Sequence, residues 1–340
     1  MCQLVHVLLV IIITLSSASW LHNKNHPQTN LLYIMHDDLR PELSVYGRNH
    51  MITPNYQRLA GKSVVFDNAY VQIAVCNPSR DSILTGLRPD TVGTYGFQHS
   101  WGPHMLFPQQ LVKSGYDTAA YGKLLHWDGD YKDVWSKESW QGNWYEYQNL
   151  EWSFMNASVQ PDAVRKEEEF RDHIMTTKAV KGLKRFAKDN IPTDPSVNQT
   201  KFFMLAIGFK LPHITLHVPH KYYKMYEGIQ MPNISAKELT YPLTTSPACG
   251  YRCCGEDPVR YVNDEGRKKS SQSADISAIN AAVPYRAHNE IMSGYSAGIS
   301  FLDTQLGRIL DTLDELKLWD KITIVLSSDH GMHNGEKGTW

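Results

Sequence analysis

Leu31-Leu32-Tyr33-Ile34-Met35 runs straight into His36-Asp37-Asp38. An apolar run without alternation is what a strand covered on both faces requires, because each of its sides meets another layer. The pattern returns near the far end of the chain, where Ile322 to Leu326 leads into Ser327-Ser328-Asp329-His330-Gly331. Two further runs of strand type lie between them. Tyr116 to Tyr121 leads to Gly122-Lys123, and Lys201 to Phe209 ends at Lys210-Leu211-Pro212-His213. Helical patterns alternate with these runs, which predicts an α/β class. Strands that finish in acidic or imidazole residues place a site at the carboxyl edge of an open α/β sheet.

Thr53-Pro54 opens a short helix that Gly61 closes, and Val64-Val65-Phe66 follows as a short strand. A helix starts at the Cys76 motif, and Leu106 to Gly115 reads as another that ends at a glycine cap. Glu167 to Lys188 reads as a charged helix with a solvated outer face. Ile291, Tyr295, Ile299, Leu302, Leu306, Ile309, Leu313 and Leu316 recur at three- and four-residue steps, which puts them on the buried stripe of one long helix. Trp127 to Trp152 is dense in aromatics without a clean period, and reads either as a platform for sugar rings or as an excursion packed on the sheet edge. Residues 242–282 shift to Pro, Cys, Ser, Asp and Lys, the composition of a long surface insertion.

With 340 residues, 42% of them apolar, the chain is long enough to bury a large core in one domain. A formal net charge of -1 and the lack of a basic cluster argue against a nucleic-acid partner. Residues 1–19 read as a signal peptide. Leu4 to Leu15 is an apolar core too short to span a bilayer comfortably, and Ser16-Ser17-Ala18-Ser19 offers a cleavage site. No stable membrane insertion is expected after cleavage; a signal anchor is the alternative, since the leader's first residues carry no Lys or Arg. Sequons at Asn156, Asn198 and Asn233 agree with a lysosomal or secreted destination. Apart from Cys2 and Cys76, the thiols Cys249, Cys253 and Cys254 crowd one short segment, where a local disulfide leaves one sulfur over.

The chemistry centres on Cys76-Asn77-Pro78-Ser79-Arg80, followed by Leu84-Thr85-Gly86. Pro78 suits the first position of a helix, whose orphan amides and positive dipole end then face Cys76. Arg80 adds a fixed cation with a planar donor fork. The acids Asp37, Asp38 and Asp329 repel one another if buried together, and a divalent cation resolves that repulsion. Oxygen-rich donors favour calcium or magnesium over zinc, with His330 an unusual companion for a hard ion.

The Cys76 motif resembles the C-x-P-S-R signature, with a following L-T-G, of the sulfatase family. Met35-His36-Asp37-Asp38-Leu39-Arg40-Pro41, Gly122-Lys123 with His126, Leu211-Pro212-His213-Ile214, and Ser328-Asp329-His330-Gly331 with Gly335-Glu336 extend the resemblance over nearly the whole mature chain. The resemblance implies an alkaline-phosphatase-like sulfatase fold, with a large, mainly parallel central sheet flanked by helices. It makes residues 28–340 an N-terminal catalytic domain, incomplete at its end, with the smaller C-terminal domain missing. It further implies that the formylglycine-generating enzyme oxidises Cys76 to formylglycine. One Ca2+ ion would be held by Asp37, Asp38, Asp329, His330 and the modified Cys76. Arg80, Lys123, His126 and His213 would surround the sulfate of a sulfated glycosaminoglycan. In that scheme the aldehyde hydrate attacks sulfur, His213 protonates the leaving alcohol, and His126 deprotonates the second hydroxyl. A catalytically dead glycan-binding relative and a phosphate-ester hydrolase of the same superfamily are the rival readings. Two departures stand out. Gly335-Glu336-Lys337-Gly338 stands where a family member has Gly-Glu-His-Gly, and the chain ends at Trp340, before the family's further active-site lysine.

Overall fold

The computed structural model describes residues 28–97, 102–126, 133–142, 159–194, 196–213, 216–232 and 285–332. The leader, the 242–282 segment with its three cysteines, the sequons at Asn156 and Asn233, and most of the aromatic stretch lie outside the described residues.

Among the described residues six strands form: β1 (Asn30–Asp37), β2 (Asp117–Gly122), β3 (Val159–Asp162), β4 (Phe203–Pro212), β5 (Leu216–Pro219) and β6 (Ile322–Ser328). The central sheet has the order β2-β4-β1-β6, and β3 pairs with β5 in a small second sheet. Every pairing is parallel. Leu31 to Met35 lie beside Met204 to Gly208 on one side and Thr323 to Ser327 on the other, so β1 sits in the interior of the sheet. Parallel neighbours need crossovers, and helices provide them. These are α1 (Pro54–Ala60), α2 (Cys76–Thr85), α3 (Pro89–Val92), α4 (Phe107–Lys113), α5 (Arg171–Asn190), α6 (His220–Lys224) and α7 (Tyr285–Glu315).

Successive residues of each central strand face opposite layers. Leu32, Ile34, Tyr121, Leu205 and Ile207 enter one core with Met175, Leu183 and Phe186 of α5 and Ile299, Leu302 and Leu306 of α7. Tyr33, Met35, Ala120, Met204 and Ala206 enter a second core with Leu84 of α2 and with Leu106 and Trp135. Both faces of β1, β2 and β4 are covered, as a strand read from an apolar run requires; the edge strand β6 leaves Thr323 and Val325 exposed. No helix among the described residues is long and apolar enough to cross a membrane.

Three local expectations are corrected. The charged helix α5 starts at Arg171 rather than at Glu167; its outer face is solvated as expected, with Lys178, Lys181, Lys184 and Lys188 outside, and its other face buries Met175, Ala179, Leu183 and Phe186 at four- and three-residue steps. Val64-Val65-Phe66 forms no strand, and Val64 and Phe66 are 80% and 70% exposed. Extended chain becomes a strand only where a neighbour accepts its hydrogen bonds; among the described residues β6, an edge of the central sheet, pairs with β1 alone. Finally, α2 begins at Cys76, so Pro78 is its third residue rather than its first. Its missing N–H still falls among the four that a helix leaves unbonded. The first bond of that helix is Ser79 N–H to the Val75 carbonyl, and Gly86 closes it in the left-handed conformation at φ 71°.

Candidate active site

Because the four central strands are parallel, their carboxyl ends share one edge. β1 delivers Asp37 and Asp38 there, β2 delivers Lys123, β4 delivers His213, and β6 delivers Asp329 and His330. The Asp38 N–H donates to Asp329 Oδ1 at 3.0 Å, across 291 positions of sequence. α2 enters at the same edge, where the Ser79 hydroxyl donates to the Asp329 carbonyl.

Asp37, Asp38 and Asp329 are 0%, 4% and 0% exposed, and one carboxylate oxygen of each lies within 4.8 Å of the others. Arg80 stands among them. Its Nε donates to Asp329 Oδ2 and its Nη2 to Asp37 Oδ1, each at 2.9 Å. Its remaining guanidinium donor, Nη1, goes to the Lys123 and Leu124 carbonyls. The fork is thus committed to the acids and the backbone, and its charge reaches the site through them. Lys123 Nζ lies 2.5 Å from Asp37 Oδ2. Burial alone would raise the Asp37 carboxyl, but Lys123 and Arg80 outweigh it and hold that carboxyl well below the usual range. Asp38 has neither cation on it. Burial pushes it up to about 6, and His213 and His330 only partly offset the effect.

Cys76 Sγ lies 3.1 Å from His330 Nε2 and 3.9 Å from Asp38 Oδ1. Burial raises its thiol well above the ordinary value, the three aspartates add to the rise, and Lys123 only partly opposes it. The thiolate is therefore disfavoured, and the unmodified sulfur is a poor nucleophile. His330 Nε2 lies 3.0 Å from Asp38 Oδ1; burial opposes its protonation, yet Asp38 and Asp329 outweigh burial and raise its pKa. His213 Nε2 lies 3.9 Å from Asp38 Oδ2. The His126 ring lies tilted against Phe97, with ring centroids 4.8 Å apart. Burial, then the charges of Lys123 and Arg80, lower its pKa to about 3 and keep it neutral.

The donor set fits a divalent cation. Three buried carboxylates face two fixed cations, and the carboxylate that neither cation touches is the one that tends to take up a proton. A hard ion among these oxygens, with His330 beside them, would supply the balancing charge. The structure thus brings Asp37, Asp38, Cys76, Arg80, Lys123, His213, Asp329 and His330 together, with His126 close enough to feel Lys123, Arg80 and His213. Sequence reading missed two supports. Ser328 Oγ accepts the Leu39 N–H at 3.0 Å, and Tyr295, expected only as core, bonds the backbone at Asp38. Ser328 is signalled by its place beside Asp329; Tyr295 carries no local signal.

Residues 29–340 match the family model described as Sulfatase. The chain belongs to the sulfatase family. Iduronate 2-sulfatase of Mus musculus is 32% identical over 337 residues, 92% of this chain and 56% of that relative. Its Homo sapiens counterpart is 31% identical over 94% of this chain and 57% of its own length. This sulfatase chain therefore spans a little over half the length of those two curated relatives. An arylsulfatase of Clostridium perfringens is 25% identical over 90% of the chain. Among solved structures, the phosphonate monoester hydrolase of Agrobacterium radiobacter superposes with a TM-score of 0.65 at 18% identity, over 91% of this chain and 64% of that one. A protein solved with its substrate D-glucosamine-2-N,6-O-disulfate gives 0.58 at 22%, over 92% and 67%. The fold is the alkaline-phosphatase-like sulfatase fold implied by the resemblance.

Proposed function

We propose that this chain is the catalytic part of a calcium-dependent sulfuric ester hydrolase that removes 2-O-sulfate from L-iduronate residues of heparan sulfate and dermatan sulfate. The observation that carries the reaction class is the meeting of Cys76 with Asp38 and His330 at an edge already holding Asp37, Asp329, Arg80 and Lys123. The iduronate preference rests on the likeness to iduronate 2-sulfatases over more than nine-tenths of the chain.

Asp37, Asp38, Asp329 and His330, with an oxygen on the modified Cys76, would hold the Ca2+ ion, which when bound neutralises the sulfate and the charge developing on its oxygens. Formylglycine at Cys76, made by the formylglycine-generating enzyme in the secretory pathway, supplies a hydrate oxygen in place of the disfavoured thiolate. Lys123 directs its charge at the same place, held there by Asp37. His213, at the end of β4, gives a proton to the departing sugar oxygen. His126 is neutral and takes one. A pKa of about 3 makes it a weak base in the empty pocket; an arriving sulfate opposes the influence of Lys123 and Arg80 and strengthens it. The leader and sequons support a lysosomal or secreted enzyme.

Mass spectrometry of the Cys76 peptide after secretion from a eukaryotic cell, joined to an assay on 2-O-sulfated iduronate and 6-O-sulfated glucosamine disaccharides, tests this. An aldehyde and release of the 2-O-sulfate are expected. An aldehyde with another preference would move the substrate within the family. An intact thiol without turnover would leave a glycan-binding relative and defeat the proposal.

A further inference from the structure

We infer that Tyr295 is a positioning residue of the metal site, its hydroxyl holding the left-handed turn that brings the Asp38 carboxylate into the same cluster as that of Asp37. The inference rests on reading Asp38 as a metal ligand. Neighbouring residues of an extended strand point to opposite faces, so Asp37 and Asp38 cannot both enter one site if β1 simply continues. Asp38 breaks the alternation with φ 64°, a conformation that L residues seldom adopt and that aspartate tolerates better than most. Asp37 then meets Lys123 and Arg80, while Asp38 meets Cys76 and His330.

Such a turn persists only if its surroundings fix it. The Tyr295 O–H donates to the Asp38 carbonyl at 2.7 Å and accepts the Arg40 N–H at 2.9 Å, bridging both sides of Leu39 with one atom. Two further bonds to this turn come from the β6 end, Asp38 N–H to Asp329 and Leu39 N–H to Ser328. Tyr295 ties the turn to the opposite layer, from a fully buried position on α7. Burial keeps its phenol protonated, which preserves the donor.

Tyr295→Phe keeps the ring and deletes the bridge. Tyr226→Phe is the matched control, because Tyr226 is as buried and its hydroxyl also makes two bonds, with Ser300 Oγ at 2.6 Å and the Ile52 N–H at 3.0 Å, away from the acids. The readouts are calcium affinity by titration calorimetry and the denaturation midpoint without metal. Both variants should lower the midpoint to a similar extent. Only Tyr295→Phe should weaken calcium, by about ten-fold or more, the usual effect of losing a group that orients a ligand. Wild-type affinity in Tyr295→Phe overturns the inference, as does a Tyr295→Phe protein that fails to fold while Tyr226→Phe folds. Absence of calcium binding by the wild type would instead remove the metal reading itself.

Discussion

Asp303 sits on α7 and is only 2% exposed, yet it caps a different helix. Its Oδ1 accepts the Asn55 N–H at 2.8 Å and the Tyr56 N–H at 2.9 Å, and its Oδ2 accepts Asn55 Nδ2 at 2.9 Å. Thr53 occupies the cap position of α1 but makes no side-chain cap bond, its hydroxyl lying 2.7 Å from that of Ser44. Two effects compete at the borrowed cap. Three donors and the helix N-terminus favour the carboxylate, while burial favours the neutral acid. Burial prevails and raises the pKa from 3.8 to about 6. With the folded value above the unfolded one, the native state binds more protons between these limits. The contribution of Asp303 to stability is therefore greatest below about pH 4 and is lost as pH rises through about 6. A rise of that size is equivalent to about 3 kcal/mol. Asp303→Asn keeps the shape and stays neutral, with the Asn55 amide turning to meet it. Urea unfolding of both proteins from pH 4 to 7 isolates the effect, because other groups cancel in the difference. The stability of wild type minus variant should fall by about 2–3 kcal/mol, no more steeply than about 1.4 kcal/mol per pH unit. A flat difference would refute the reasoning; a rising one would mean that the hydrogen bonds prevail.

Gly122 has φ 87°, and a Cβ there would stand 2.0 Å from the Gly208 carbonyl oxygen, so Gly122→Ala should cost about 3 kcal/mol or more in denaturant unfolding, beyond ordinary overpacking. Gly47→Ala, at φ 79° with nothing within 4 Å, should cost only about 1–2 kcal/mol of backbone strain and serves as its control. Cys76→Ser should bind calcium, because Asp37, Asp38, Asp329 and His330 remain, yet lose turnover; full activity of that variant on a sulfated disaccharide would sink the formylglycine reading. Asn198 is exposed just before β4, at the amino edge of the sheet and away from the site. It should carry a glycan in protein secreted from eukaryotic cells, and Asn198→Gln should abolish the mass shift of that peptide while leaving turnover unchanged.

Of the central strands, β1, β2 and β4 could be read because strands buried on both faces favour apolar residues, and the candidate site because acids and imidazoles close such runs. β6 has the apolar composition with one face exposed, and the four-residue strands β3 and β5 are announced by no apolar run. Other features depend on partners that no local pattern names. The cap of α1 comes from a residue 248 positions away. In α5 the apolar stripe is written at helical spacing, but the lysines between its members dominate the eye, and a charge run is compatible with a buried opposite face. At Val64 to Phe66 the composition is that of a strand, and pairing, which composition does not encode, decides otherwise.

The adjacent acids show where this limit falls. Asp37-Asp38 after an apolar run points to a metal, yet strand alternation would send the two carboxylates to opposite layers, where only one would reach an ion. The resolution is a single residue at φ 64°, and aspartate's tolerance of that conformation only permits it. What selects it is the set of bonds from Asp329, Ser328 and Tyr295, which arrive from 250 or more positions downstream. The acids at the end of β1 therefore become one site through residues of α7 and β6. Local sequence can propose such a pair of ligands, but only the packing of those two elements against the end of β1 makes the pair converge.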